Sequence, residues 1–145
     1  MKLGMMYWYI VGATAVGSIA DVRKKSVPVI FLIAAAAGVV FVAIIERNIP
    51  LAARILGSAV GVLFLLVSYV SKESVGRADA AMIGISGAAL GFSVLSIILC
   101  ISFFLLSIVS LALLVIKKYG RKDRIPFFPF LTAGELVLAA FLLCA

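Results

Sequence analysis

The chain has 145 residues, of which 66% are apolar and only 13% charged, and its mean hydropathy is +1.32. Soluble globules carry roughly half apolar and about a quarter charged residues, so this surface reads as one covered by lipid rather than by water. The net charge of +7 does not point to nucleic acid, because the basic residues fall between apolar runs, as the loop charges of membrane proteins do.

There is no histidine. That removes Ser-His and Cys-His catalysis and any HExxH zinc site. The two cysteines, Cys100 and Cys144, lie inside apolar stretches without a CxxC or Cys/His pattern, so neither a metal nor a cofactor is expected.

A span needs about 20 mostly apolar residues, which allows six at most. The first apolar run covers Met5 to Ala20. Ser18 and Ala20 form a small-x-small pair before Asp21, as a secretory signal does. The charges favour a retained helix: Lys2 alone precedes the run, whereas Arg23, Lys24 and Lys25 follow it, which puts the N-terminus outside. A second run, Val27 to Ile45, opens at Pro28, where a missing N–H costs a helix nothing. It ends at Glu46-Arg47-Asn48 and Pro50. A third, Leu51 to Val70, holds Arg54 near its outer end and Gly57/Gly61 at GxxxG spacing.

After a polar loop over 71–79, no charge appears for 37 residues, from Ala80 to Ile116. One helix of that length would be about 55 Å long, nearly twice the hydrocarbon core. Two spans turning near Gly91-Phe92-Ser93 are therefore expected. A basic loop with Lys117, Lys118, Arg121, Lys122 and Arg124 leads to the last run, Pro126 to Ala145. Loops 21–26, 71–79 and 117–125 fall on one side and hold ten of the thirteen basic residues, so that side is cytoplasmic. The expected fold is all-α: a single domain over 1–145, a six-helix membrane bundle with both termini outside. Gly57, Gly61, Gly84, Gly87, Ala88 and Gly91 supply small faces for close helix packing.

Six carboxylates are present. Glu46, Glu73 and Asp123 read as solvated loop residues. Asp21 and Asp79 each lie at the cytoplasmic edge of a helix, the end of the first and the start of the fourth. Two carboxylates at close range cannot both ionise easily, so one keeps a proton. The ionised partner can then take a proton from water while the protonated one polarises a scissile carbonyl. A plainer reading stands beside this: Asp79 favours the positive end of its helix, and Asp21 balances the basic residues that follow it. Glu135 lies about 13 Å into the last helix. A carboxyl at that depth is a functional candidate by default, but protonated and hydrogen-bonded across helices it serves structure, the role preferred here.

The segment Asp21-Val22-Arg23-Lys24-Lys25-Ser26-Val27-Pro28 resembles the aspartate, basic stretch and hydrophobic-proline pair of type IV prepilin peptidases. Gly76-Arg77-Ala78-Asp79 is similar to that family's GxGD motif. Ile125-Pro126-Phe127-Phe128-Pro129-Phe130-Leu131 is similar to the run that opens its last helix. The three occur in the family's order and together cover most of the chain. Ala78 replaces the second glycine of GxGD, and Val29 stands where many members have asparagine.

The resemblance implies an intramembrane aspartic endopeptidase with Asp21 and Asp79 as its catalytic pair, acting at the cytoplasmic face of the cell membrane. Gly76, Ala78, Pro126 and Phe127 would be motif neighbours of the site. The implied substrate is a prepilin or pilin-like precursor, cut after a short basic leader, typically following a glycine. Larger members carry a cysteine-rich cytoplasmic region and N-methylate the new terminus. Nothing like that region is read here, so the short, peptidase-only form is expected, the kind found with tight-adherence pili or archaeal filaments. The rival is a non-enzymatic membrane component, a small transporter or an assembly subunit. A transporter would set polar residues at mid-membrane in broken helices, and only Glu135 is deep.

Overall fold

The structure, a computed structural model, describes residues 4–24, 27–47, 49–70, 76–116 and 127–144. The loop residues at 71–75 and 117–126, which include Glu73, Asp123 and Pro126, lie outside the described residues, as do Lys25 and Ser26 of the first motif. Six helices follow in chain order: α1 (Met5–Lys24), α2 (Val29–Ile45), α3 (Leu51–Val70), α4 (Arg77–Leu90), α5 (Phe92–Val115) and α6 (Phe128–Cys144). No strand occurs among the described residues.

Prolines and one glycine set the boundaries. Pro28 is the N-cap of α2 with extended backbone, φ −66° and ψ 139°. The Pro50 carbonyl accepts from the N–H groups of Ala53 and Arg54 and so starts α3. Between α4 and α5 the turn falls on Gly91, whose φ of +80° suits glycine alone. Its N–H donates to the Gly87 carbonyl and its own carbonyl accepts from Leu95, so a single residue serves both helices. The turn lies where the uncharged 37-residue run predicts it, but the two helices are unequal. At 14 and 24 residues they measure about 21 Å and 36 Å.

The helices α3 and α5 are long and apolar enough to cross a membrane, and only 17% of each apolar window is buried. A core helix of a soluble globule would be mostly buried, so these faces look outward. Leu63, Leu66, Phe104, Leu111 and Val115 are among their exposed side chains. α2 and α6 are apolar but shorter, at 17 residues each.

The helix α4 is central and packs on α1, α2, α3 and α5. Half of it is buried: Ala80, Met82, Ile83, Ser86, Gly87, Ala89 and Leu90. Its closest partner is α3. A Cβ at Gly57 would run into the backbone of Gly87, and one at Gly61 into the backbone of Gly84. The GxxxG pair therefore lets two antiparallel backbones touch, as small residues do between membrane helices.

Hydrogen bonds define one end of the bundle. Glu46, just past α2, accepts from the N–H groups of Met5 (2.8 Å) and Met6 (3.0 Å) at the start of α1. Arg54 near the start of α3 donates to the carbonyls of Glu46 (3.1 Å) and Ala88 (3.4 Å). The start of α1, the end of α2, the start of α3 and the end of α4 thus lie together. Glu46 is not the simply solvated loop residue that the sequence suggested: it caps a helix.

Candidate active site at the Asp21 end of the bundle

At the opposite end lie the last turn of α1 and the first turn of α4, carrying Asp21 and Asp79. These two helices pack directly on one another, and because they run antiparallel both aspartates fall at this end. The helix α6 also begins here. Ser18 of α1 and Thr132 of α6 share a hydrogen bond of 2.7 Å.

Asp21 lies just beyond the apolar run that ends at Ala20 and is half-buried. One of its carboxyl oxygens accepts a hydrogen bond from the backbone N–H of Phe128. The other, Oδ2, is buried with no partner among the described residues. Burial lifts the carboxyl above the ordinary carboxylate range, and the Phe128 N–H draws it part of the way back.

The demand of α6 for that carboxylate can be counted. The first N–H groups of a helix lack intrahelical partners. Pro129 has no N–H, while those of Phe130 and Leu131 reach the Phe127 carbonyl. Phe128 is left as the one amide of the first turn that needs an outside acceptor, and Asp21 is that acceptor. The Phe128 ring is buried against Gly17, where a Cβ would meet its Cε1 at 2.6 Å. Gly17 and Phe128 were not singled out from the sequence; the proline at 129 was the signal that could have found Phe128.

Asp79 is the third residue of α4, after the N-cap Gly76. Its carboxyl folds back over that glycine, so a Cβ at Gly76 would meet Asp79 Oδ2 at 2.5 Å. The first glycine of the motif is thus explained by close approach. Ala78 packs half-buried against the hydrophobic core. Phe127 is buried and tilts against Phe103 at 5.3 Å, which in turn stacks on Phe64 at 5.9 Å. Phe127 therefore anchors the start of α6 on α5 and α3, and its ring is occupied by packing. Pro126 lies outside the described residues.

Glu135 is fully buried, two helical turns deeper on α6. Its Oε2 lies 2.5 Å from Thr14 Oγ1 of α1, and its backbone carbonyl accepts from Tyr7 Oη at 2.5 Å.

An all-helical bundle with two membrane-capable helices and two carboxylates at one end is what sequence and geometry define. The chain is 26% identical over 141 residues to two curated proteins, prepilin leader peptidase/N-methyltransferases of Aeromonas salmonicida, one of them from strain A449. The match covers 92% of this chain and 47% of each relative, so the chain spans about half their length. No family model matches the chain, and no solved structure does either.

Proposed function

We propose that this protein is an intramembrane aspartic endopeptidase that removes the basic leader from prepilins or pilin-like precursors. The observation that carries the reading is the direct packing of α1 on α4 with Asp21 and Asp79 at one end. The similarity to prepilin leader peptidase/N-methyltransferases and the three motifs support the same substrate. Asp21 and Asp79 act as a dyad that shares one proton. The ionised member takes a proton from water, and the protonated member polarises the scissile carbonyl. Asp21 Oδ2, which has no partner among the described residues, is the atom we assign to a water or a substrate oxygen.

The whole chain acts as one domain of six spans in the cell membrane, with both termini outside and the dyad at the cytoplasmic face. An apolar substrate helix lies in the lipid beside the bundle, which brings its leader junction level with Asp21 and Asp79. Of the two activities in the relatives' name, we assign the peptidase alone to these residues. A Gly-rich strand-to-helix turn with an acidic residue beyond it is a pattern that binds ligands of nucleotide size, and neither loop 71–79 nor loop 117–125 has it.

A non-enzymatic membrane component is the second reading, and the depth of Glu135 is what favours it. Membranes carrying the wild type and the Asp21→Asn and Asp79→Asn variants, mixed with a prepilin, decide between the two. Cleavage by the wild type and not by either variant is expected. Undiminished cleavage by both variants would sink the catalytic assignment.

A further inference from the structure

The α1–α6 interface is apolar except for a seam of polar contacts that runs from mid-helix to the proposed site. Its rungs come three or four residues apart, about one helical turn. Thr14 faces Glu135, Ser18 faces Thr132, and Asp21 faces the Phe128 amide. From Thr14 to Asp21 is seven residues on α1, and from Glu135 to Phe128 is seven on α6. Each step is two helical turns, about 10.5 Å, along one face. Two rigid antiparallel helices with matched spacing cannot slip at one rung without slipping at the other.

Resting on the peptidase reading above, we propose that Glu135 is a positioning residue. It locks the register of α6 against α1 and so aims the Phe128 N–H at the Asp21 carboxyl. Two contacts give Glu135 that grip, the Thr14 hydroxyl on its side chain and the Tyr7 hydroxyl on its backbone carbonyl. Glu135 and Thr14 are both 0% exposed, so neither can exchange its partner for water. Thr14 Oγ1 also lies 3.1 Å from the carbonyls of Ile10 and Val11. Its single hydrogen cannot satisfy all of these acceptors, and a residue at 135 that can either donate or accept keeps the rung closed. Glutamine does both; leucine does neither.

The test is steady-state cleavage of a prepilin in membranes, with accumulation of each variant measured alongside. Glu135→Leu should lower kcat about tenfold or more with KM within about twofold, since the substrate surface is untouched. Glu135→Gln should recover most of the rate. Thr14→Val removes only the hydroxyl and should reproduce the Leu effect; it decides the matter if the Leu variant does not accumulate. A disulfide supplies independent rescue. With Cys100 and Cys144 changed to serine, Ser18→Cys and Thr132→Cys stand where two oxygens are 2.7 Å apart, a separation a disulfide accommodates. Oxidation should restore cleavage to the Glu135→Leu chain, and reduction should remove it. Full activity of both Glu135→Leu and Thr14→Val overturns the proposal, as does a loss confined to KM or one that neither glutamine nor the disulfide repairs. If Asp21→Asn still cleaves, the peptidase site itself is misassigned. If Asp21→Asn is inactive while Glu135→Leu is unimpaired, only the positioning role fails.

Discussion

The backbone N–H of Phe128 on α6 donates to the carboxyl of Asp21 on α1, so one side chain caps a neighbouring helix while its second oxygen is buried with no partner among the described residues. A carboxylate used only as a cap needs no bare oxygen. Leaving a buried acceptor unsatisfied costs about 1–3 kcal/mol, a cost that a water or a substrate oxygen at the proposed site would offset.

Asn and Ala at position 21 should therefore part company. Asp21→Asn keeps a carbonyl oxygen for the Phe128 N–H but cannot take up a proton, so cleavage is lost while thermal stability in detergent barely moves. Asp21→Ala removes the cap as well and should cost about 1 kcal/mol in addition to activity. Equal melting behaviour of the two variants would show that the Phe128 bond contributes nothing to stability.

Much of the fold is legible in the sequence because prolines, charges and glycines act locally. Pro28 and Pro50 open α2 and α3, and the Gly91 turn falls inside the uncharged run. The unequal lengths of α4 and α5 follow from that turn, expected near Gly91-Phe92-Ser93, and the positive φ of Gly91 is the physical reason the break falls there. Glu46 looked solvated because its partners, the N–H groups of Met5 and Met6, are some 40 residues away in sequence. Likewise Phe127 stands out as part of a motif, but nothing local reveals that Phe103 holds it. Long-range contacts of this kind leave no periodic signal.

The glycine seam between α3 and α4 gives a contrast in packing. Gly61→Val sets a side chain against the Gly84 backbone, which cannot yield, and should cost about 3 kcal/mol or more. Gly12→Ala, where a Cβ meets nothing within 4 Å, should be neutral or stabilising by about 0.5–1 kcal/mol through helix propensity. Thermal melts in detergent read both. A Gly61→Val protein as stable as wild type would mean that α3 and α4 do not approach as described.

Glu46 should matter to stability and not to chemistry, since it lies at the end away from Asp21. Glu46→Ala leaves the Met5 and Met6 amides without their carboxylate and is expected to cost about 1 kcal/mol. Glu46→Gln, with one acceptor oxygen, should fall between. Prepilin cleavage per folded molecule should be unchanged in both; a tenfold loss would contradict the assignment of the site to the opposite end.

The pH profile of cleavage follows from the burial of Asp21. Its carboxyl is raised above the ordinary carboxylate range, chiefly by desolvation, so it holds its proton to higher pH than an exposed aspartate does. In the proposed dyad the protonated member then persists as pH rises, and kcat/KM should decline only above the usual aspartate range near pH 4. Rates measured across pH on a fixed prepilin check this. A decline centred near pH 4 would mean that the raised carboxyl is not the one that limits the reaction.

The final prediction concerns orientation, because the chemistry depends on which side the aspartates face. The contacts of Glu46 and Arg54 gather Met5, Ile45, Leu51 and Ala88 at one end, so loop 46–50 lies opposite Asp21 and Asp79. Of the thirteen basic residues, ten fall in the segments 21–26, 71–79 and 117–125, which join α1 to α2, α3 to α4 and α5 to α6 in the chain. Positive loops stay in the cytoplasm, the side from which the proposed substrate's basic leader would be presented. Reporters fused after Asn48 and after Ala145 should both register the outside, and one after Lys122 the cytoplasm. The Asn48 and Lys122 fusions test orientation, and the Ala145 fusion tests the number of crossings. A cytoplasmic signal from Asn48 would turn the bundle over and carry Asp21 and Asp79 to the face where no leader arrives. A cytoplasmic signal from Ala145 alone would leave Asp21 and Asp79 in place and remove α6 as a full crossing, since a helix of 17 residues measures about 26 Å against a core about 30 Å thick.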